Sequence, residues 1–370
     1  HLEQYRHATS HPEDYYLEGL KRDATDIRLN TGYGTLLYRR GQFAEAEKYY
    51  NISAKANPAS ADYAAYQRSF VRGLQGNYRG KISALDYLMK TFPNSHYYDD
   101  ALFEKSRALV MLNEDNVAVE VLNKLVNEFP QSPLARQGGV QLGQLHYNTN
   151  KLDKAIEAYK RVIQDFKGSE DARTALLALE TVYKDMNNID AYVNYVNSLP
   201  GGMRITPQRQ DSLTYIAAEN IYMKGNKNDA RNALNKYLQS YPEGVYSSNA
   251  HYYLGTIAQE NNETAKAVSH FKQVIDANND RFIGNALLYV ANAEYNDGDY
   301  QEALAHYAHL NNVAQSIAHK QDAQLGMARS NTQLDNYHET IQAANQLLEN
   351  KNLSPQNETE IRYLRGKAYQ

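Results

Sequence analysis

ARQGGVQLGQLHYNTNKLDKAIEAYKRVIQDF, residues 135–166, holds two helix-length amphipathic runs that meet at the short polar turn Asn148-Thr149-Asn150. The first run carries Leu142-Gly143 and, three residues on, His146; the second carries Ala155, Tyr159 and Val162, spaced to share one helical face. Small residues at Gly143 and Ala155 let the two helices approach closely, and the Tyr159 ring fills the seam between them. The stretch therefore predicts a helix-turn-helix hairpin.

The hairpin recurs on both sides. DIRLNTGYGTLLYRRGQFAEAEKYYNISAKANP, residues 26–58, puts Gly34 in the close-approach slot, with Leu37 three residues later. Gly41 ends the first helix as a C-cap; Phe43, Ala46, Tyr50 and Ser53 build the second helix face; and Pro58 closes the unit. Along the chain the same slot falls at Gly34, Ser69, Ser106, Gly143, Leu179, Ala218, Gly255, Ala291, Ala328 and Gly366. Successive spacings are 35, 37, 37, 36, 39, 37, 36, 37 and 38 residues, and nearly every slot is small. A two-helix unit that cannot bury its own apolar face must stack on its neighbours, which is the logic of a solenoid.

Punctuation follows the same period. Phe92-Pro93, Phe129-Pro130 and Tyr241-Pro242 end three units, and Phe166-Lys167 holds the same place without proline. Ser95, Ser132 and Ser169 follow as helix caps, with Ser169 before the acids Glu170 and Asp171. Ser132-Pro133, Thr206-Pro207 and Ser354-Pro355 set a cap before a proline at the first helical position. Gly76-Asn77, Gly225-Asn226 and Asp297-Gly298-Asp299 join paired helices. The pattern weakens twice: Lys81 stands where alanine is expected, and in the fifth unit Leu179 fills the small slot while the second helix shrinks to IDAYVNYVNSL. Pro200-Gly201-Gly202-Met203 follows as a hinge or kink. The expected organisation is the end of a preceding repeat at 1–26, a first array at 27–199, a hinge at 200–206, and a second array at 207–370 ending in a truncated repeat.

These units resemble the tetratricopeptide repeat, whose pattern is W-x2-L-G-x2-Y followed by Ala, an aromatic, Ala and Pro. The resemblance covers essentially everything from about residue 27 to 370, at a period slightly above the family's usual 34. It implies an all-α fold, a right-handed α-α superhelix of about nine helix-turn-helix repeats plus partial repeats at both ends. The aromatic-Pro-x-Ser endings resemble the outer-membrane assembly lipoprotein and the periplasmic cell-division coordinator of Gram-negative bacteria, and the texture resembles long Bacteroidetes members. Those proteins bind other proteins in the envelope and do no chemistry.

In this family the first helices line a concave face that holds a partner. The resemblance then implies partner-binding positions at Tyr66, Phe70, Phe103, Arg107, Gln144 and Tyr147 in the first array. In the second it implies Tyr215, Tyr222, Tyr252, Asn292, Tyr295 and Arg329. Tyrosine suits such a surface because its ring supplies area with few rotors, although it also belongs to the repeat's own packing pattern. The lysine-and-asparagine clamp of chaperone-binding members is missing, since Thr31 and Thr35, or Val140 and Gln144, stand in its place.

Composition bounds the remaining function classes. The 370 residues are 42% hydrophobic and 22% charged, which suits a folded chain. A net charge of −4 with no long basic run gives nucleic acid or an anionic membrane little electrostatic support. No apolar run approaches the ~18–20 residues that cross a bilayer. With no cysteine, disulfides and thiolate metal sites are excluded, and either redox compartment is compatible. Tyrosine is abundant at 32 while tryptophan is absent.

Candidate chemistry is sparse. His306 and His309 stand three apart but read as solvated histidines. Asn296-Asp297-Gly298-Asp299 reads as a turn, since Tyr295 occupies a ligand place and no Glu closes a calcium loop. Gly32-Tyr33-Gly34 lacks a third glycine and a preceding strand, and no Gly-x-Ser-x-Gly elbow occurs. No enzyme, cofactor or metal is expected. The expected function is a protein-interaction scaffold at the periplasm or outer-membrane periphery, as a piece of a longer exported protein that can self-associate through uncapped terminal repeats. The alternatives are a glycan-binding helical-repeat protein and a structural spacer.

Overall fold

A computed structural model describes residues 12–56, 61–201, 204–278, 281–349 and 353–370. Among them are twenty helices and no strand. Pro58, Gly202, Met203 and residues 1–11, named above, lie outside the described residues.

Two compact units divide the chain, residues 1–182 and 183–370. The first begins with α1 (Pro12–Arg22), which packs on α2 (Ile27–Arg39). Hairpins then follow: α2 with α3 (Phe43–Ala56), α4 (Asp62–Leu74) with α5 (Tyr78–Thr91), α6 (Tyr98–Met111) with α7 (Asp115–Glu128), and α8 (Pro133–Asn148) with α9 (Leu152–Asp165). α10 (Glu170–Asp185) carries the division in its last turn, and α11 (Ile189–Ser198) is the shortened helix foreseen from the sequence. In the second unit α12 (Pro207–Met223) pairs with α13 (Lys227–Ser240), α14 (Ser247–Glu260) with α15 (Thr264–Asp276), and α16 (Ile283–Asp297) with α17 (Tyr300–Val313). α18 (Ile317–Gln333) pairs with α19 (Tyr337–Leu348), and α20 (Pro355–Ala368) packs on both. The 200–206 stretch lies between α11 and α12, where Gly201 takes φ +112°.

Three local devices recur. At the seam, a Cβ on Gly34 would come within 3.1 Å of the Tyr50 ring and one on Gly255 within 2.8 Å of the Phe271 ring, while Gly143 would collide with Tyr159. Each ring lies sixteen residues beyond its glycine, so the small slot exists to seat it. Buried Leu85, Leu122 and Leu234 stand at the same interval from Ser69, Ser106 and Ala218.

Every hairpin turn from α2–α3 to α18–α19 contains one left-handed residue: Gly41, Gly76, Asn113, Asn150, Asn187, Gly225, Asn262, Gly298 and Asp335. The next N–H then reaches back to a carbonyl five residues earlier, as in Glu114 to Leu109 (2.9 Å) and Lys151 to His146 (2.8 Å). That bond satisfies carbonyls orphaned at the helix end. Asn296-Asp297-Gly298-Asp299 is thus a turn, with Gly298 capping α16 at φ +90°.

The third device ties one unit to the next. The Ser95 hydroxyl donates to Asp62 (2.7 Å) and that of Ser132 to Asp99 (2.6 Å), each 33 residues back. Ser132, Ser169, Thr206 and Ser354 also accept N–H groups of their own helices, as expected of caps. Ser95 instead caps the turn before α6, accepting from Tyr97 N–H at 3.1 Å.

Candidate functional site: the first-helix face

First helices of neighbouring hairpins pack on one another, α6 on α8 in the first unit, and α12 on α14, α16 on α18 and α18 on α20 in the second. No pair of second helices among the described residues packs as closely. Where these pairs pack, the first helices therefore form the tighter side of the stack.

Of the predicted positions, Tyr66 and Tyr215 are core residues. Tyr66 is 9% exposed, stacked on Tyr97 at 4.9 Å, with its hydroxyl donating to Asp100 at 3.3 Å. Tyr215 is 2% exposed, stacked on Tyr246 at 4.5 Å, and donates to Glu219 at 2.7 Å. Burial, with carboxylates beside them, pushes both phenols well above their ordinary value. Truncating either reads stability rather than binding.

Half-buried Tyr222 lies against Tyr253 and under the Lys227 ammonium at 4.1 Å. Tyr252 is stacked on Phe282 at 4.0 Å and accepts from Asn285. Tyr295 packs edge-on to Tyr300. Exposed Asn292 accepts from Tyr307, and Arg329 holds Glu360 through two bonds of 2.5 and 2.7 Å. Gln144 is exposed and bonded to Asn148 at 2.8 Å; Tyr147 and Phe103 are half-buried.

Phe70 and Arg107 are brought together. With Leu74, Tyr78, Lys81, Glu104, Met111 and Gln141 they line a groove of about 520 Å³ across α4, α5, α6 and α8. Its floor is apolar, and Leu74 (53%) and Met111 (59%) are exposed large hydrophobics. Sequence reasoning missed both; their signal was a common register, each five residues past its small slot in consecutive units.

The sequence left Lys81 as an anomaly. Gly73 leaves room for its stem, since a Cβ there would meet Lys81 Cδ at 3.0 Å. The ammonium passes 5.2 Å from the Phe70 ring centroid to pair with Glu104 Oε2, and Arg107 Nη1 takes Oε1 at 3.1 Å. Glu104, only 8% exposed, has both oxygens engaged.

One expectation about the histidines is corrected. His306 is not simply solvated: its Nδ1 lies 2.6 Å from Glu294, a carboxylate of the neighbouring α16 that also holds Lys272 at 2.9 Å. Searching within one helix could not reveal a partner supplied by another. No group of three or more His, Asp or Glu side chains is placed to hold a metal among the described residues.

Family models described as tetratricopeptide repeat match residues 100–132, 139–169, 211–244 and 252–316. Each match coincides with hairpins that carry the seam and turn devices above. The chain carries tetratricopeptide repeats. Among solved structures it is similar to a tetratricopeptide repeat protein from Parabacteroides merdae, at 17% identity over 68% of this chain and 92% of that one, with a TM-score of 0.40. It is also similar to MamA from Desulfovibrio magneticus (20%; 46% and 90%; 0.37) and to the TPR2AB-domain–pHSP90 complex of yeast Sti1 (14%; 84% and 100%; 0.36). The tetratricopeptide fold is an interaction fold, and no helix among the described residues is long and apolar enough to cross a membrane.

Proposed function

We propose that this chain is a non-enzymatic scaffold that holds a segment of a partner protein on its first-helix face. The observation that carries the reading is the groove over α4, α6 and α8, where Leu74 and Met111 stand exposed at one register in adjacent repeats. Grouped apolar exposure beside a charged rim is the surface character of a protein-binding patch. Each of the two side chains already hides close to half its surface, so burying the remainder would supply about 1 kcal/mol each.

A pull-down from envelope extract with the 370-residue chain and its Leu74→Asp/Met111→Asp variant tests this. Both side chains are more than half exposed, so the variant retains its helical signal and melt. The expected result is a protein held by the parent and lost by the variant; equal retention by both would place binding elsewhere.

We also place the scaffold in a bacterial envelope, at the periplasm or outer-membrane periphery. The support is the aromatic-Pro-x-Ser unit endings, which close α5 and α7 at Phe92 and Phe129. Cell fractionation tests it, and a purely cytoplasmic pool would overturn the placement.

A further inference from the structure

We infer that the groove over α4, α6 and α8 reads a specific chemistry, an apolar side chain and a carboxylate two residues apart in a short extended segment of the partner. The inference rests on the scaffold reading and names the segment it takes.

Phe70 and Leu74 are four residues apart on α4, and Arg107 and Met111 are four apart on α6, so each pair shares one helical face with about 5–6 Å between Cβ atoms. The two pairs stand at the same register of consecutive repeats and line one groove. The groove thus offers three apolar side chains and, at its rim, one guanidinium. Of the groove's charges, only that of Arg107 is available. The Lys81 side chain is 11% exposed, and its ammonium is engaged by Glu104 and by the face of Phe70. Glu104 is buried and doubly engaged. The Arg107 side chain is 61% exposed, and its one partner among the described residues is Glu104, reached through Nη1. A guanidinium carries five N–H donors in a planar fork, so four stay free to meet a carboxylate.

The three groups sum to one positive charge, and that charge sits at the open rim. A basic segment would face the guanidinium with no free acid to answer it. A wholly apolar segment would cover Arg107 and strip its water without compensation. An acidic residue two positions from an apolar one satisfies both halves, because alternate residues of an extended chain point to the same side about 6–7 Å apart, close to the spacing of a helical i, i+4 pair.

The test is selection of a random ten-residue peptide display library on the intact chain and, in parallel, on Arg107→Glu and Arg107→Gln. The parent is expected to enrich peptides in which Leu, Ile, Met or Phe stands two residues from Asp or Glu. Such a peptide, resynthesised with a fluorescent label, should bind Arg107→Gln about tenfold more weakly and lose affinity as salt rises, consistent with losing one charge-assisted bond. Arg107→Glu should shift enrichment to Lys or Arg two residues from the apolar residue. Far-UV circular dichroism and melts confirm that both variants fold. Enriched peptides without an acid at that spacing, or the same peptides from parent and Arg107→Glu, would overturn this inference while leaving the scaffold reading intact. No enrichment on any of the three proteins would remove both.

Discussion

Gly143 is glycine because of what faces it. A methyl group there would occupy the space of the Tyr159 ring, which is 1% exposed and whose phenol is pushed up to about 12 by burial. Gly143→Ala should therefore cost about 1–3 kcal/mol through overpacking. Gly366 holds the same slot in α20, but a Cβ there would meet nothing within 4 Å. Gly366→Ala should be neutral or stabilise by up to about 1 kcal/mol through helix propensity. Paired urea melts check the contrast, and equal destabilisation by both would refute this account of the slot. The Lys81–Glu104 pair is the other residue-scale case. Lys81→Ala leaves Glu104 buried with Arg107 as its remaining partner and should cost about 1–3 kcal/mol. Lys81→Met with Glu104→Leu should recover most of that loss, since an apolar pair carries no desolvation debt; additive losses in the double-mutant cycle would contradict it.

At the scale of the element, a hairpin is stable when its seam is dry and neutral, and α14 with α15 shows the consequence. His251 Nδ1 lies 2.9 Å from His270 Nδ1, so one ring donates to the other and neither has room for a second proton between them. Burial, followed by the repulsion of His270, holds His251 down at about 4; burial, then Arg231 of α13, lowers His270. Arg231 is itself paired with Glu263 at 3.1 Å. Unfolded, both histidines bind protons near pH 6.5. The unfolded chain thus binds more protons than the folded one between about pH 6.5 and 4, and stability falls as pH is lowered through that window. With the partial exposure of both rings discounted, the loss is on the order of 1 kcal/mol. His270→Gln should flatten this part of the stability-versus-pH profile, as read by melts from pH 7 to 4.5; an unchanged slope would exclude the pair as its source. The hairpins themselves were legible in the sequence because slot and ring recur at fixed spacing. The turns were legible only where glycine marked them or, at Asn150, where polar residues clustered. Asn113, Asn187, Asn262 and Asp335 adopt the same left-handed conformation, which short polar side chains tolerate without advertising it. Of the predicted surface, exposed Arg107, Gln144 and Asn292 could be placed from register, whereas Tyr66 and Tyr215 could not. Whether a tyrosine faces solvent or a stacked neighbour depends on rings supplied from the following unit, Tyr97 and Tyr246.

For the whole molecule, the decisive property is how far a contact reaches. Every helix pair that packs substantially among the described residues joins neighbours in sequence or the next helix but one. Stability is then a sum of hairpin terms and nearest-neighbour interfaces rather than the property of one shared core. A strained seam should loosen its own surroundings and leave distant hairpins as they were. Hydrogen exchange on Gly143→Ala is expected to show faster amide exchange in α8 and α9 and in the adjoining α6 and α7, with α14 to α17 unchanged. Gly255→Ala, which presses on Phe271, should give the converse, with α12 to α16 affected and α2 to α5 unchanged. A uniform rise in exchange along the chain in either variant would mean that the array opens as one cooperative block. The local pattern would also show that the first-helix groove can be altered at Arg107, Leu74 or Met111 without disturbing the second unit, because nothing in nearest-neighbour packing carries such a change that far.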